Sequence, residues 1–239
     1  MWLALETATD RASVAVGHGF DDAREESLSG ARRHAGALIP MIDAALRQRG
    51  TSLDRVTGVL LSDGPGSFTG LRVAASTGKA LAHARGLPLW TAPSLLVRAA
   101  GVARGERCVV VAVSDALRGE VYAGAFRFER GRVTTELAPA VWRPDALVDL
   151  GLAPDVLVGE VPDAIGEMLE RSLRRPLIGP PDGSAQAGRL IQLAAMDGGA
   201  RPVEDSHAWE PVYGRPAEAQ ARWELVHGRP LPDSVGGPR

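Results

Sequence analysis

Residues 2–17 read WLALETATDRASVAVG, and their pattern decides the fold class. Trp2–Glu6 is a short apolar run of strand length. Thr7–Arg11 is turn-like, and Ala12–Gly17 has the make-up of a second strand. The same order returns at residues 108–126. Cys108–Val113 is an apolar strand, Ser114–Arg118 an acidic turn ending in arginine, and Glu120–Phe126 an alternating strand. A third strand is expected near Glu25–Ser29 in the first half and near Arg132–Leu137 in the second. The echo lies in the order of elements more than in residue identity. It predicts an α/β protein with two lobes of related β-β-β-α build, at 1–103 and 107–227, with Arg104-Gly105-Glu106 at the joint.

Between these hairpins the period changes from strand to helix. Leu38, Met41, Ile42, Ala45 and Leu46 recur at helical spacing, which predicts a helix over about 35–49 ending before Gly50. Pro40 lies inside it and should kink it or mark its first turn. Val56–Ser62 reads as a strand, Asp63–Gly70 as a glycine-rich loop, and Leu71–Arg85 as a helix closed by Gly86. Leu87–Thr91 reads as a strand, followed by a helix over Leu95–Val102 with Ser94 as its cap. In the second half, Val156–Val158 reads as a strand, and Ala164–Ser172 and Ala185–Met196 as helices. Residues 228–239, GRPLPDSVGGPR, have the composition of a disordered tail.

A chain of 239 residues with 45% hydrophobic and 23% charged residues needs no disulfide or metal to build its core. Its single cysteine, Cys108, excludes an internal disulfide and fits a reducing cytoplasm. The net charge of −2 is not that of a free-standing nucleic-acid binder, so any nucleic-acid contact is expected to be local or shared with a partner. The N-terminus lacks the basic and apolar regions of a signal peptide, and no run reaches the ~20 apolar residues of a membrane helix.

The sharpest chemical signal is Gly64-Pro65-Gly66-Ser67-Phe68-Thr69-Gly70-Leu71-Arg72, between a strand and a helix. Backbone N–H groups at such a junction make an anion site, and glycines admit a ligand to the backbone. Gly64, Gly66, Ser67, Thr69 and Gly70 are therefore candidates for an anion or nucleotide loop. The competing reading is a tight turn that needs glycine at positive φ, with Ser67 or Thr69 as the helix cap. The spacing is neither that of a P-loop nor that of a hydrolase nucleophile elbow. Of the histidines 18, 34, 83, 207 and 227, none forms H-x-x-x-H or H-E-x-x-H, so no helical metal pair exists. Glu6, Asp10, Asp115 and Glu120 sit at strand–turn junctions, where acids either hold a metal–nucleotide or bond the turn itself. Gly70, Ala74, Gly78 and Ala82 lie four apart, so another helix or a sheet can approach that face closely.

GPGSFTGLR resembles the TsaB (YeaZ) family. The likeness continues in LALETATDRASVAV, although that family often has Asp where this chain has Glu6. It continues in His34 with Leu38-Ile39-Pro40-Met41-Ile42, in Leu87-Pro88 with Thr91-Ala92-Pro93-Ser94-Leu95, in Asp115–Tyr122, and in Pro211-Val212-Tyr213-Gly214-Arg215. It is dense over about 1–125 and thin beyond. The resemblance implies a two-lobed actin-like ATPase fold. It also implies a non-catalytic subunit that pairs with a TsaD-type catalytic subunit, joined by a TsaE-type ATPase. Together they move threonylcarbamoyl to N6 of adenosine 37 in tRNAs that read ANN codons.

On this resemblance ATP and metal belong to the partner subunits, and tRNA is met through the complex. The catalytic relatives carry H-x-x-x-H after the segment matching Leu87–Ser94, whereas Thr91–Arg98 here contains no histidine. The expected partner interface is His34, Leu38, Met41, Ile42, Ala45 and Leu46 on the first helix, with Arg72, Ala75, Lys79 and Ala82 on the second. A homodimer through the same face is expected when the chain is alone. The rival reading is an actin-like kinase or ATPase that binds nucleotide by itself. A peptidase has neither a metal pair nor an identifiable Ser/His/Asp set to support it.

Overall fold

The computed structural model describes residues 1–30 and 34–214; side chains are described from Gly36 onward in the first helix. The expected tail at 228–239, His227 and Arg215 lie outside the described residues, as does the side chain of His34.

Two mixed sheets carry the fold. In the first, strands β1 (Trp2–Glu6), β2 (Arg11–Gly17), β3 (Arg24–Ser29), β4 (Gly58–Ser62) and β5 (Leu89–Ala92) run in the order β5-β4-β1-β2-β3. In the second, β6 (Arg107–Asp115), β7 (Val121–Glu129), β8 (Arg132–Trp142), β9 (Val156–Glu160) and β10 (Leu177–Ile178) run in the order β10-β9-β6-β7-β8. The two orders are the same plan used twice. In each, the first three strands are antiparallel neighbours, and the fourth and fifth join in parallel. This duplicated plan is that of the actin-like ATPase fold.

The helices repeat too. Helices α1 (His34–Gln48) and α2 (Phe68–Arg85) cover the outer face of the first sheet, and α4 (Pro144–Asp149) and α5 (Asp163–Leu173) that of the second. Helices α3 (Ser94–Val102) and α6 (Ala187–Ala194) lie between the sheets. Strand alternation builds these layers, because successive side chains point to opposite faces. Leu3 and Leu5 join the core under α1 and α2, while Ala4 faces the middle layer. Likewise Val110 and Ala112 face the middle, and Val111 and Val113 face α4 and α5. Cys108 is free and buried in the middle layer.

Local differences from the sequence expectations have local causes. Helix α1 runs through Pro40, which sits in its second turn. Ser94 is the first helical residue of α3, and its hydroxyl accepts the Gly64 N–H at 3.0 Å instead of capping its own helix. Two-residue strands β10 and β11 (Arg201–Pro202) and the short α4 carry no periodic signal. Strand β11 pairs antiparallel with β5, so the chain returns from the second lobe to the first after α6. Among the described residues no helix is long and apolar enough to cross a membrane.

Candidate functional site

The two hairpin turns face each other across a cleft of about 660 Å³. The first lobe lines it with Ala8, Thr9 and Asp10 from the β1–β2 turn and Gly66, Ser67 and Phe68 from the start of α2. The second lobe adds Ser114–Arg118, Tyr122, and Glu160, Val161 and Pro162 before α5. Tyr213 closes one side. Aromatic and aliphatic groups dominate the walls. Asp10, Asp115 and Glu160 are the acids of the lining, and Arg118 is its basic residue.

The glycine loop is packed against the chain's own backbone. Gly64 has φ +101°, and a Cβ there would overlap the Val212 carbonyl oxygen. A Cβ on Gly70 would overlap the Thr7 carbonyl oxygen, and one on Gly66 that of Ala8. Three of the loop's N–H groups also have partners within the chain. Gly64 donates to Ser94 Oγ at 3.0 Å, Ser67 to the Ala8 carbonyl at 2.7 Å and Gly70 to Ser67 Oγ at 3.2 Å. Ser67 is thus the cap of α2, and Thr69 stands exposed in its first turn. The glycines bind the β1–β2 turn to α2, with Thr7 Oγ1 donating to the Gly70 carbonyl at 2.7 Å. The tight turn expected of the motif is present, and Gly66, Ser67 and Phe68 also line the cleft.

Of the four acids read from sequence, Glu6 is the buried one. It is fully enclosed, accepts the Ala8 N–H at 2.7 Å on Oε1, and leaves Oε2 without a hydrogen-bond partner. Burial pushes its pKa from 4.5 up to about 7, opposed by Ser62, the Ala8 N–H and Arg98. Asp115 accepts the Leu117 N–H at 2.7 Å and so shapes the second turn. Sequence reasoning did not single out Arg98, the largest fully buried side chain. Its Nη1 donates to the Gly183 carbonyl at 2.9 Å, and it feels Glu160 from one lobe and Glu6 from the other. The signal was present, since Arg98 is the one charge in the α3 sequence SLLVRAAGV. Asp63 was also missed. It is buried at the end of β4, its pKa is raised by burial, and Arg201 meets it at 2.7 Å. Among the described residues no cluster of three His, Cys, Asp or Glu side chains could hold a metal.

The expected partner-facing residues fall in two groups. Leu38, Met41, Ile42, Ala45 and Leu46 are 0–8% exposed, and Ala75 and Ala82 are 7% and 4% exposed. They form or adjoin the core beneath α1 and α2, so the apolar stripe serves the chain's own sheet. Arg72 and Lys79 bond the returning C-terminal segment, at Tyr213 and at the carbonyls of His207 and Trp209. The outward surface is different. Ile39 is 58% exposed on α1, and Ser76, Ala80 and Ala84 lie exposed at four-residue spacing on α2. Beside them Phe68, Thr69, Arg72, Val73, Ser76 and Thr77 line a shallow groove of about 430 Å³.

Comparison with known proteins agrees with this architecture. A family model described as "TsaD: tRNA N6-adenosine threonylcarbamoyltransferase" matches residues 28–173, more than half of the chain. The solved structure of YeaZ from Pseudomonas aeruginosa superposes with a TM-score of 0.71 at 28% identity, covering 89% of this chain and 98% of that one. The chain belongs to this family, on its TsaB (YeaZ) side. The TsaB of Escherichia coli is 35% identical over 146 residues, 60% of this chain and 62% of that protein. The TsaB of Haemophilus influenzae is 36% identical over 121 residues, 50% of this chain and 51% of that protein. The match thus spans between half and two thirds of the length of these TsaB relatives. The glycine loop that carries the resemblance is the element that ties the first hairpin to α2.

Proposed function

We propose that the chain is the non-catalytic scaffold and activator subunit of a tRNA threonylcarbamoyltransferase complex. In this reading it serves threonylcarbamoyl transfer to N6 of adenosine 37 in ANN-decoding tRNAs by heterodimerising with a TsaD-type catalytic subunit. A TsaE-type ATPase joins the pair, and tRNA is met through the assembly. ATP and metal sit on the partner subunits, and the chain forms a homodimer when it is alone. The TsaB relatives, which are tRNA threonylcarbamoyladenosine biosynthesis proteins, point to the pathway. The observation that carries the docking part is the outer face of α1 and α2. Ile39 is exposed on α1 and the small residues Ser76, Ala80 and Ala84 are exposed on α2, so a partner helix can approach α2 closely. A stable contact of this kind buries about 1,600 Å² in total. The histidine-free stretch Thr91–Arg98 supports leaving the transfer chemistry to the partner.

The test uses residues that are exposed, so that folding is spared. Purified chain is mixed with the TsaD-type protein of the same organism and followed by size-exclusion chromatography with light scattering. Wild type should form a 1:1 complex. Ile39→Arg and Ser76→Arg should weaken it by about 100-fold or more, since each places a charge in a close helical contact. Leu150→Arg, on an exposed position of the second lobe, should bind as wild type does. Equal binding by all four proteins would place the interface elsewhere, and no complex at all would remove the scaffold reading.

A further inference from the structure

After β11 the chain lies along the first lobe as a strap. The Val203 N–H donates to the Leu89 carbonyl at 2.8 Å and the Val212 N–H to the Asp63 carbonyl at 2.7 Å. Between them Lys79 Nζ donates to the carbonyls of His207 and Trp209 at 3.0 and 2.9 Å. Trp209 and Val203 also pack against the core under α2. The end of the strap is held differently. The Tyr122 hydroxyl, from the second lobe, donates to the Tyr213 carbonyl at 3.3 Å. The Tyr213 ring packs on Phe68 with centroids 4.6 Å apart. Its hydroxyl accepts from Arg72 Nε at 3.3 Å and donates to Glu210 at 3.3 Å. The Arg72 guanidinium lies 4.2 Å from the Phe68 ring centre.

The hydrogen bonds around Tyr213 are all at the long end of the range, while those anchoring the rest of the strap are short. Tyr213 is therefore held by the longest bonds of the strap. Phe68 and Tyr213 both line the interlobe cleft, and Arg72 lines the outer groove of α2. One guanidinium serves both surfaces. We propose that Arg72 couples the outer face of α2 to the interlobe cleft. A partner carboxylate in the groove draws Arg72 off Phe68 and Tyr213, which releases Tyr213 from Tyr122 and opens the cleft wall. A carboxylate wins that competition because a charge-assisted, two-pronged pair is stronger than a long bond to a phenol. The involvement of a partner rests on the docking reading above; the coupling inside the chain stands apart from it.

Amide hydrogen exchange on the full chain tests both parts. Arg72→Leu keeps an apolar side chain over Phe68 and removes the cation. Exchange should rise about fivefold at 209–214 and at the turn 115–122, the size of one cation–π contact with one long hydrogen bond. Segment 203–208, whose Val203 N–H is held by the Leu89 carbonyl, should not change. Tyr122→Phe, which removes only the bond from the second lobe, should give the same pattern. A response confined to the first turn of α2, or a uniform rise across the chain, would overturn the coupling. In complex with the TsaD-type protein, wild-type 209–214 should exchange faster than in the free chain, and protection there would overturn the release step. If no complex forms, the docking reading fails while the Arg72→Leu result still decides the coupling.

Discussion

Truncating Arg98 to alanine is expected to cost about 3–5 kcal/mol of folding stability. Helix α3 lies between the two sheets, and Arg98 is 2% exposed there. Burial alone lowers its pKa, because a cation without water is unfavourable; Glu160 and Glu6 act in the other direction. Alanine would leave the Gly183 carbonyl without its donor, take the counter-charge from Glu160, and open a hole in the layer between the sheets. Arg98→Met should lose less, since it fills the space and fails only in the polar contacts. Urea unfolding of the three proteins would show it. A loss below about 1 kcal/mol for the alanine variant would mean that the arginine is not what joins the two lobes.

Glu6→Gln is expected to stabilise the protein in a pH-dependent way. The folded carboxyl holds its proton up to a pKa of about 7, against 4.5 for an ordinary glutamate. Below pH 4.5 both folded and unfolded states are protonated, so the residue costs nothing. As pH rises from 4.5 the unfolded state ionises while the folded state resists, and stability falls by about 1.4 kcal/mol per pH unit. The loss is complete once pH passes the folded value near 7. The interval of 2.5 units makes it about 3 kcal/mol. Glutamine has no proton to lose, keeps the oxygen that accepts the Ala8 N–H, and escapes the loss. The stability difference between variant and wild type should therefore grow from pH 4.5 to pH 7 and level off above it. A difference that stays flat from pH 4 to pH 8 would show that the folded carboxyl ionises near the ordinary value of 4.5.

The duplicated plan was legible because it is local. Residues 2–17 and 108–126 each carry an apolar run, an acidic turn and a second strand, and those become β1–β2 and β6–β7. The returning strap was not legible. Pairing of Arg201 with Thr91 joins residues far apart in the chain, and two-residue strands have no period to detect. The apolar stripe of α1 was legible as a stripe, yet periodicity cannot say which surface covers it. Leu38 and Ala45 meet the chain's own sheet, and the residues left exposed, such as Ile39 and Ser76, are those the stripe omits. The glycines of 64–70 show a similar gap. Sequence reveals that a backbone must come close, while only the structure shows that the visitors are the carbonyls of Thr7, Ala8 and Val212. Arg98 stood out as a charge in an apolar helix, but its two carboxylates come from strands in different lobes and could not be paired with it by spacing.

The most direct measurement is a reconstituted transfer reaction. The TsaD-type and TsaE-type proteins of the same organism are incubated with an ANN-decoding tRNA, threonylcarbamoyl adenylate and ATP, with and without this chain, and modified adenosine 37 is counted by mass spectrometry. Modification should require the chain, be absent with the chain alone, and fall with Ile39→Arg in step with loss of the complex. Modification at the full rate without the chain, or by the chain alone, would contradict the proposed non-catalytic scaffold role.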